Sequence, residues 1–213
     1  MGIRMGVFYR NFLKRVLDII VAITLGIVLI VPLFFVAILV KLTSKGPVFF
    51  KQERFWLNSK PFTLYKFRSM TEGAPVKANS EFDDITSYIT PFGMFIRKTS
   101  IDELPQLINI IKGDMSFIGP RPLATTDEKV LALRKKNGTD QVRPGISGLV
   151  QVNGRNNITD KNKAAYDAKY ASGLSMQLDI LLIIKTLISV VKRDGIFKTE
   201  QLVDLDKDAV KND

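Results

Sequence analysis

The chain has no histidine and no cysteine. Without cysteine it can form neither disulfides nor thiolate metal sites, although this says little about its compartment. Without histidine it lacks the side chain that most often moves protons near neutral pH. If it is an enzyme, its chemistry must run on Asp, Glu, Lys, Arg, Tyr, Ser or Thr, or on an oxygen-liganded metal. What is present is apolar residue and positive charge. The 213 residues fit one ordinary domain plus an attachment. A charged fraction of 24% argues against a wholly integral membrane bundle, and 46% hydrophobic residues are ample for a core. The formal charge of +10 implies anionic partners: nucleic acid, anionic lipid or phosphorylated substrates.

The apolar residues are unevenly placed. Residues 19–40 form an uncharged run of 22, enough to cross a bilayer core. Lys14, Arg15 and Asp18 precede it, and Lys41 and Lys45 follow. A cleaved signal peptide would have a shorter core and a small-residue cleavage site, and "VKLTSKGPVFF" offers none. The run is too long without a polar face for an ordinary buried helix. Pro32, near its middle, removes a backbone hydrogen bond and marks a break. Basic residues flank both ends (Arg4, Arg10, Lys14 and Arg15; Lys41, Lys45, Lys51 and Arg54), which favours keeping both in the cytoplasm. A re-entrant helix-break-helix satisfies both observations. A spanning helix with a tolerated proline is the alternative, and these residues alone leave the two open.

The remainder reads as a mostly helical α+β domain at the membrane. "GPVFFKQERFW" (46–56) and "KPFTLYKFRSM" (60–70) predict a β-hairpin, with Lys66 and Arg68 on one face by the two-residue period. Residues 71–90 read as a loop. The pattern predicts a helix over 103–112, ended by Lys112 and Gly113, and a surface helix over 125–137. "SMQLDILLIIKTLISVVKR" (175–193) predicts an amphipathic helix on the domain or at the membrane interface. Three regions follow: a membrane-inserted part with basic flanks at 1–45, a domain at 46–198 that would be the catalytic domain of an enzyme, and a charged, disordered tail at 199–213.

Asp102 and Glu103 stand side by side in "TSIDELPQLINI" (99–110). Ser100 and Glu103 match the capping box in which both side chains satisfy unpaired amides at a helix start. Asp102 could itself cap, with Pro105 tolerated in the first turn. The positive end of a helix also keeps a carboxylate ionised, fit to act as nucleophile or metal ligand. A hard cation such as Mg²⁺ is held by one or two carboxylates plus substrate phosphates. Around this pair lie basic residues on structured turns. "GPRP" (119–122) fixes Arg121 between two prolines, a setting suited to two-point phosphate binding. "VRPGISG" (142–148) repeats the device with Arg143, "QVNGRNN" (151–157) adds Arg155, and Arg97 and Lys98 precede the acids. Each turn alone could carry a merely solvated charge.

Five ordered segments, "SKGPVFFKQERF", "YKFRSM", "RKTSIDELPQLINIIKGDMSFIGPRPL", "VRPGISGLVQVNGRN" and "LDILLIIKT", resemble the signatures of the bacterial sugar transferase family. The resemblance runs from about Lys14 to Lys192 and is to the small, single-domain members. It implies a monotopic phosphoglycosyl transferase with a re-entrant membrane helix broken at Pro32. It implies transfer of a sugar 1-phosphate from a UDP-sugar to undecaprenyl phosphate with release of UMP, starting exopolysaccharide, capsule or glycoprotein glycan assembly at the cytoplasmic membrane. Asp102 matches the family's nucleophile, which forms a covalent sugar-phosphate intermediate, and Glu103 its partner and ligand of Mg²⁺. Lys66, Arg68, Arg97, Arg121, Arg143 and Arg155 become candidate phosphate-binding residues, and Asp179 an acidic support of the site. Anionic lipids and downstream glycosyltransferases are implied partners; nucleic acid is not.

Three departures from the family pattern stand out. Val31 occupies the place of a common serine before Pro32. Trp56 replaces a usual glycine. A tryptophan common after the GRN motif is missing from "NNITDKNKAAYD" (156–167). A basic nucleic-acid- or lipid-binding module would explain the charge and the anchor. It would not explain adjacent carboxylates among the arginines, which repel nucleic acid unless a metal intervenes. A pseudoenzyme should have lost the Asp-Glu pair.

Overall fold

A computed structural model describes residues 8–55, 57–75, 86–124, 127–153 and 158–192. The apolar run becomes a long helix. A π-helical stretch over Tyr9–Leu13 leads into α1, Lys14–Thr43, whose 30 residues extend about 45 Å at 1.5 Å each. Lys14, Asp18, Ala22 and Val40 are buried along one side, and Leu25, Leu33, Val36 and Ala37 pack on that side too. Steps of three or four residues link 14 to 25 and 33 to 40, so α1 lies against the domain by one side in each of these two stretches. Ile27, Val28, Val31, Phe34 and Phe35 point away and stay exposed. An apolar face of this extent marks a membrane or partner surface.

The helix-break-helix expected at Pro32 is found instead as one helix that passes through the proline. Proline removes one donor and crowds the carbonyl four residues earlier. The helix packs on both sides of that weak point, through Leu25 before it and Leu33 after it.

The hairpin forms as β1, Phe49–Phe55, and β2, Pro61–Phe67, antiparallel with Phe50 opposite Lys66 and Arg54 opposite Phe62. Phe62 and Leu64 fill a core with Ala22, Ile110 and Met115. Phe67, on the other face, packs on Val40 and Ile96 and stacks on Phe49 at 5.4 Å. β2 ends at Phe67, so the alternation expected to pair Lys66 with Arg68 does not reach Arg68.

Three short elements follow: α2, Pro91–Lys98, a 3₁₀ helix over Ile101–Gln106, and α3, Leu107–Lys112. Thr90 caps α2 by accepting the Gly93 amide at 2.9 Å. The helix expected over 103–112 is thus split, and its expected capping box is not made. Ser100 sits in the left-handed region (φ 57°) with no side-chain capping bond. Gly113, at φ 100°, ends α3 as expected. Asn109 carries the join to the hairpin. Fully buried, its Nδ2 donates to the Thr63 carbonyl at 2.7 Å and its Oδ1 accepts the Tyr65 amide at 3.1 Å. The amide thereby satisfies the edge of β2 that β1 leaves unpaired.

Beyond these, β3, Ser116–Ile118, pairs in parallel with β4, Gly145–Ser147. Helix α4 covers Glu128–Asn137, α5 Leu149–Val152, α6 Asp160–Gly173 and α7 Met176–Lys192. The expected surface and amphipathic helices are α4 and α7. Ile180, Leu181, Ile184, Leu187 and Val191 of α7 are exposed, whereas Leu182 enters the core. Trp56, Arg155 and the 199–213 tail lie outside the described residues, as do residues 156 and 157.

Candidate active site

The 3₁₀ turn lays its acids over β2. Side-chain alternation turns Lys66 to the face shared with Phe62 and Leu64. There its Nζ donates to Glu103 Oε1 at 2.6 Å, with both groups about one-fifth exposed. Arg121 Nη2 stands 3.8 Å from the same oxygen and is the more open of the two cations, at 44%. Asp102 beside them is buried, with 8% exposed.

Burial pushes the Asp102 carboxyl up to about 6. Lys66 opposes that rise most, Glu103 adds to it, and Arg97 and Arg121 oppose it further. The expected helix-end effect therefore gives way to a different balance. Desolvation penalises the charge and a ring of cations keeps it, so Asp102 is mostly ionised at neutral pH. Arg97 is subject to the opposite balance. Burial lowers its pKa, Asp102 and Glu103 raise it, and Arg121 lowers it again. A desolvated carboxylate among cations is equipped for attack on an electrophile bearing negative charge.

The backbone that carries Arg121 is fixed from three directions. The Gly145 amide donates to the Pro120 carbonyl at 2.9 Å, Arg134 Nη1 to the Arg121 carbonyl at 2.8 Å, and the Phe55 amide to the Leu123 carbonyl at 2.9 Å. Arg134 is itself buried and held by Asp167. Glycine is needed where the two Arg-Pro turns meet, because a Cβ on Gly145 would stand 2.1 Å from the Gly119 nitrogen.

The other expected site residues have different partners. Arg68 donates to the Lys45 carbonyl at 2.8 Å, where α1 hands over to the hairpin. Arg143 donates to the Gly113 carbonyl at 3.1 Å. Asp179 is buried against the start of α1, accepting from Tyr9 and Lys14 at 2.6 Å each, with the Tyr170 hydroxyl 2.7 Å away. One cation beside the acids was expected only as a membrane flank. Arg54 lies on the Lys66 face of the hairpin, with Arg121, Asp127 and Glu103 in its field. The register Phe50↔Lys66 puts it there, and register is not readable from one strand alone.

Among the described residues no three acidic or other ligating side chains cluster. The available donors are two adjacent carboxylates, one already held by Lys66 at Oε1. That fits a hard cation taking one or two carboxylates and completing its shell with phosphate oxygens and water, and not an all-protein metal cage.

A sequence profile of the family described as bacterial sugar transferase matches residues 9–193. An uncharacterized sugar transferase, EpsL, from Bacillus subtilis (strain 168) is 43% identical over 190 residues, 89% of this chain and 93% of that protein. A UDP-glucose:undecaprenyl-phosphate glucose-1-phosphate transferase from Klebsiella pneumoniae is 41% identical over 189 residues, 82% of this chain. A UDP-N-acetylgalactosamine-undecaprenyl-phosphate N-acetylgalactosaminephosphotransferase from Aeromonas hydrophila is 39% identical over 193 residues, 86% of this chain. The chain spans only 39% and 45% of the length of these last two proteins.

Proposed function

This chain belongs to the bacterial sugar transferase family, and from that premise we propose that it moves a sugar 1-phosphate from a UDP-sugar to undecaprenyl phosphate, releasing UMP. The observation that carries this reading is the buried Asp102 carboxylate, ringed by Lys66, Arg97 and Arg121 with Glu103 beside it. The matched relatives are named for that kind of transfer, with different sugars in their names. The sugar and the glycan it starts are therefore left to a substrate screen.

The proposed chemistry has two displacements. An Asp102 oxygen attacks the β-phosphorus of the UDP-sugar, and the bond to the bridging oxygen breaks, with its electron pair leaving on UMP. A phosphate oxygen of undecaprenyl phosphate then attacks the same phosphorus, and the Asp102 carboxylate departs. No proton need move in either step. Arg121 and Arg97 supply positive charge to the phosphates as negative charge shifts. Lys66 holds Glu103 and favours the ionised form of Asp102. Glu103, with Asp102 beside it, would hold Mg²⁺ through carboxylate oxygens. When bound, the ion would neutralise phosphate charge and orient the diphosphate.

The catalytic domain would face the cytoplasm, where nucleotide sugars are found, with α1 and the exposed side of α7 in the membrane of that face. The reading of α1 as re-entrant, with both ends on one side, is supported by the packing of α1 on the domain before and after Pro32.

Release of UMP from a panel of UDP-hexoses and UDP-N-acetylhexosamines, with undecaprenyl phosphate and with or without Mg²⁺, tests the reaction. Turnover with at least one sugar is expected, and none with any would overturn it. Asp102→Asn should abolish both turnover and any trapped sugar-phosphate adduct. An adduct persisting on another residue would reject the nucleophile. For topology, single cysteines in Gly6→Cys and Ser44→Cys should both resist an impermeant maleimide in sealed cells. Labelling of one alone would mean a spanning anchor.

A further inference from the structure

Arg54 is a half-buried cation whose bonding is incomplete. Its Nη2 donates to Gln52 Oε1 at 2.6 Å. Its Nη1 lies 3.8 Å from Asp127 Oδ2, beyond hydrogen-bond length, and that oxygen already accepts the Ala124 amide at 2.8 Å. Its Nε is buried and has no hydrogen-bond partner among the described residues. Only 18% of the side chain is exposed. Native proteins rarely leave a buried donor on a charged group unpaired, so such an atom calls for an explanation.

The backbone places this guanidinium beside the phosphate turn. The amide of Phe55, the next residue, donates to the Leu123 carbonyl, two residues beyond Arg121. Arg54 also shares a hairpin face with Lys66, which holds Glu103. After burial, Arg121 is the largest influence lowering the Arg54 pKa, to about 10, so the two guanidiniums repel each other. The backbone bonds around Arg121 hold these like charges near each other; Asp127 and Glu103 offset the repulsion, but Asp127 stands at 3.8 Å, too far for a hydrogen bond. An anion with more than one phosphate, entering between them, would remove the repulsion and use the spare donor.

Resting on the transferase reading above, we infer that Arg54 is a second phosphate-binding arginine, which with Arg121 grips the diphosphate of the nucleotide substrate from both sides. The guanidinium is well matched to the task, because its planar fork gives directed two-point contacts that an ammonium cannot. The competing role is structural, with Arg54 serving as a tether for Asp127 at the start of α4.

The test uses the full chain in detergent and UDP with Mg²⁺ as the probe. Affinity is read by calorimetry and melting temperature without nucleotide, for wild type, Arg54→Gln, Arg54→Lys and Asp127→Asn. Arg54→Gln should weaken UDP binding by roughly ten- to a hundredfold. Arg54→Lys should recover little of it. Asp127→Asn should remain within about threefold of wild type, because it removes the loose partner and leaves the guanidinium. Wild-type UDP affinity in Arg54→Gln would overturn the inference. Equal losses of affinity and melting temperature in Arg54→Gln and Asp127→Asn would also overturn it, in favour of the tether. If Arg54→Gln does not fold, the lysine variant decides, and wild-type affinity there rejects the clamp. Failure of the transferase reading has a separate signature: wild type that releases no UMP from any UDP-sugar, whatever the Arg54 variants do to UDP affinity.

Discussion

Replacing Asp102 by asparagine should make the protein both inactive and more stable. The carboxyl is 8% exposed and its pKa is raised from 3.8 to about 6 by burial, despite three cations nearby. A folded-state pKa above the unfolded value means that the folded chain binds the proton more tightly. The stability this confers is complete below pH 3.8 and is lost as pH rises through about 6. At pH 7.5 the wild type has lost all of it, a penalty of up to about 3 kcal/mol at 1.36 kcal/mol per pKa unit. Asparagine keeps the shape and removes the ionisation. For a chain of this size, about 2–4 °C per kcal/mol translates this into a rise of roughly 6–12 °C in melting temperature at pH 7.5. The gain should shrink as pH falls below 6 and vanish only below pH 3.8, where the wild-type carboxyl becomes protonated in both states. The assay is thermal unfolding of wild type and Asp102→Asn in detergent, without nucleotide, from pH 4.5 to 8. A variant no more stable than wild type at pH 7.5, or a gap independent of pH, would refute the claim that desolvation dominates at Asp102.

Other outcomes follow from the same geometry. UMP release should rise with pH through about 6 as Asp102 ionises, and Lys66→Met should move that midpoint upward, because Lys66 is the strongest influence holding it down; an unmoved midpoint in the pH-rate profile would reject Asp102 as the titrating group. Arg121→Lys should lose roughly ten- to over a hundredfold in kcat/KM, about 1.5–3 kcal/mol, since an ammonium cannot reproduce the planar two-point contact; near-wild-type rates would reduce Arg121 to a generic charge on a rigid turn. Glu103→Gln should raise the Mg²⁺ concentration needed for half-maximal UMP release, and an unchanged requirement would remove Glu103 from the metal. Asn109→Ala should orphan the Tyr65 amide and the Thr63 carbonyl, costing about 2–6 kcal/mol at about 1–3 for each buried group; a denaturation midpoint close to wild type would show that water replaces the amide.

The candidate site's residues were more legible in the sequence than the scaffold that brings them together. Asp102, Glu103 and Arg121 stand in short, unusual strings where proline fixes the backbone. Lys66 could be assigned to a strand face, and the structure pairs it with Glu103 at 2.6 Å. The capping box failed because local pattern cannot foresee that Ser100 would be left-handed and Glu103 drawn to Lys66. Helix α2 was missed, although Thr90 and Pro91 mark its start, because its eight residues present too little periodicity. Strands β3 and β4 are three residues each and are specified by contact between the two Arg-Pro turns, which only tertiary structure brings together. Arg54 was hidden for a related reason. Its basic neighbours made it look like a membrane flank, and its place beside the acids depends on the hairpin register and the bridge to Leu123.

The polar groups buried against the start of α1 gain meaning from what β3 leads into. Lys14 and Tyr9, at the start of the helical anchor, converge on Asp179 of α7, and the Tyr170 hydroxyl lies within 3.0 Å of both Asp179 and the Ile118 carbonyl. Asp18 accepts the Phe117 amide at 3.3 Å. One residue past Ile118, the Gly119 amide is held by Ser147, and the Pro120 and Arg121 carbonyls by Gly145 and Arg134. A continuous run of backbone anchors thus joins the helical anchor to the arginine turn. Buried ionic groups are costly unless fully paired, so an ordinary interface between a helix and a domain would be built more simply from apolar side chains. A mobile anchor would leave the height of Arg121 above the membrane free to vary. In the proposed reaction a lipid phosphate confined to the headgroup layer and a nucleotide arriving from water would have to reach the same carboxylate, and a small misplacement of reacting atoms costs large factors in rate. On the proposed reaction, the rigid polar root of α1 fixes the depth at which the two substrates meet.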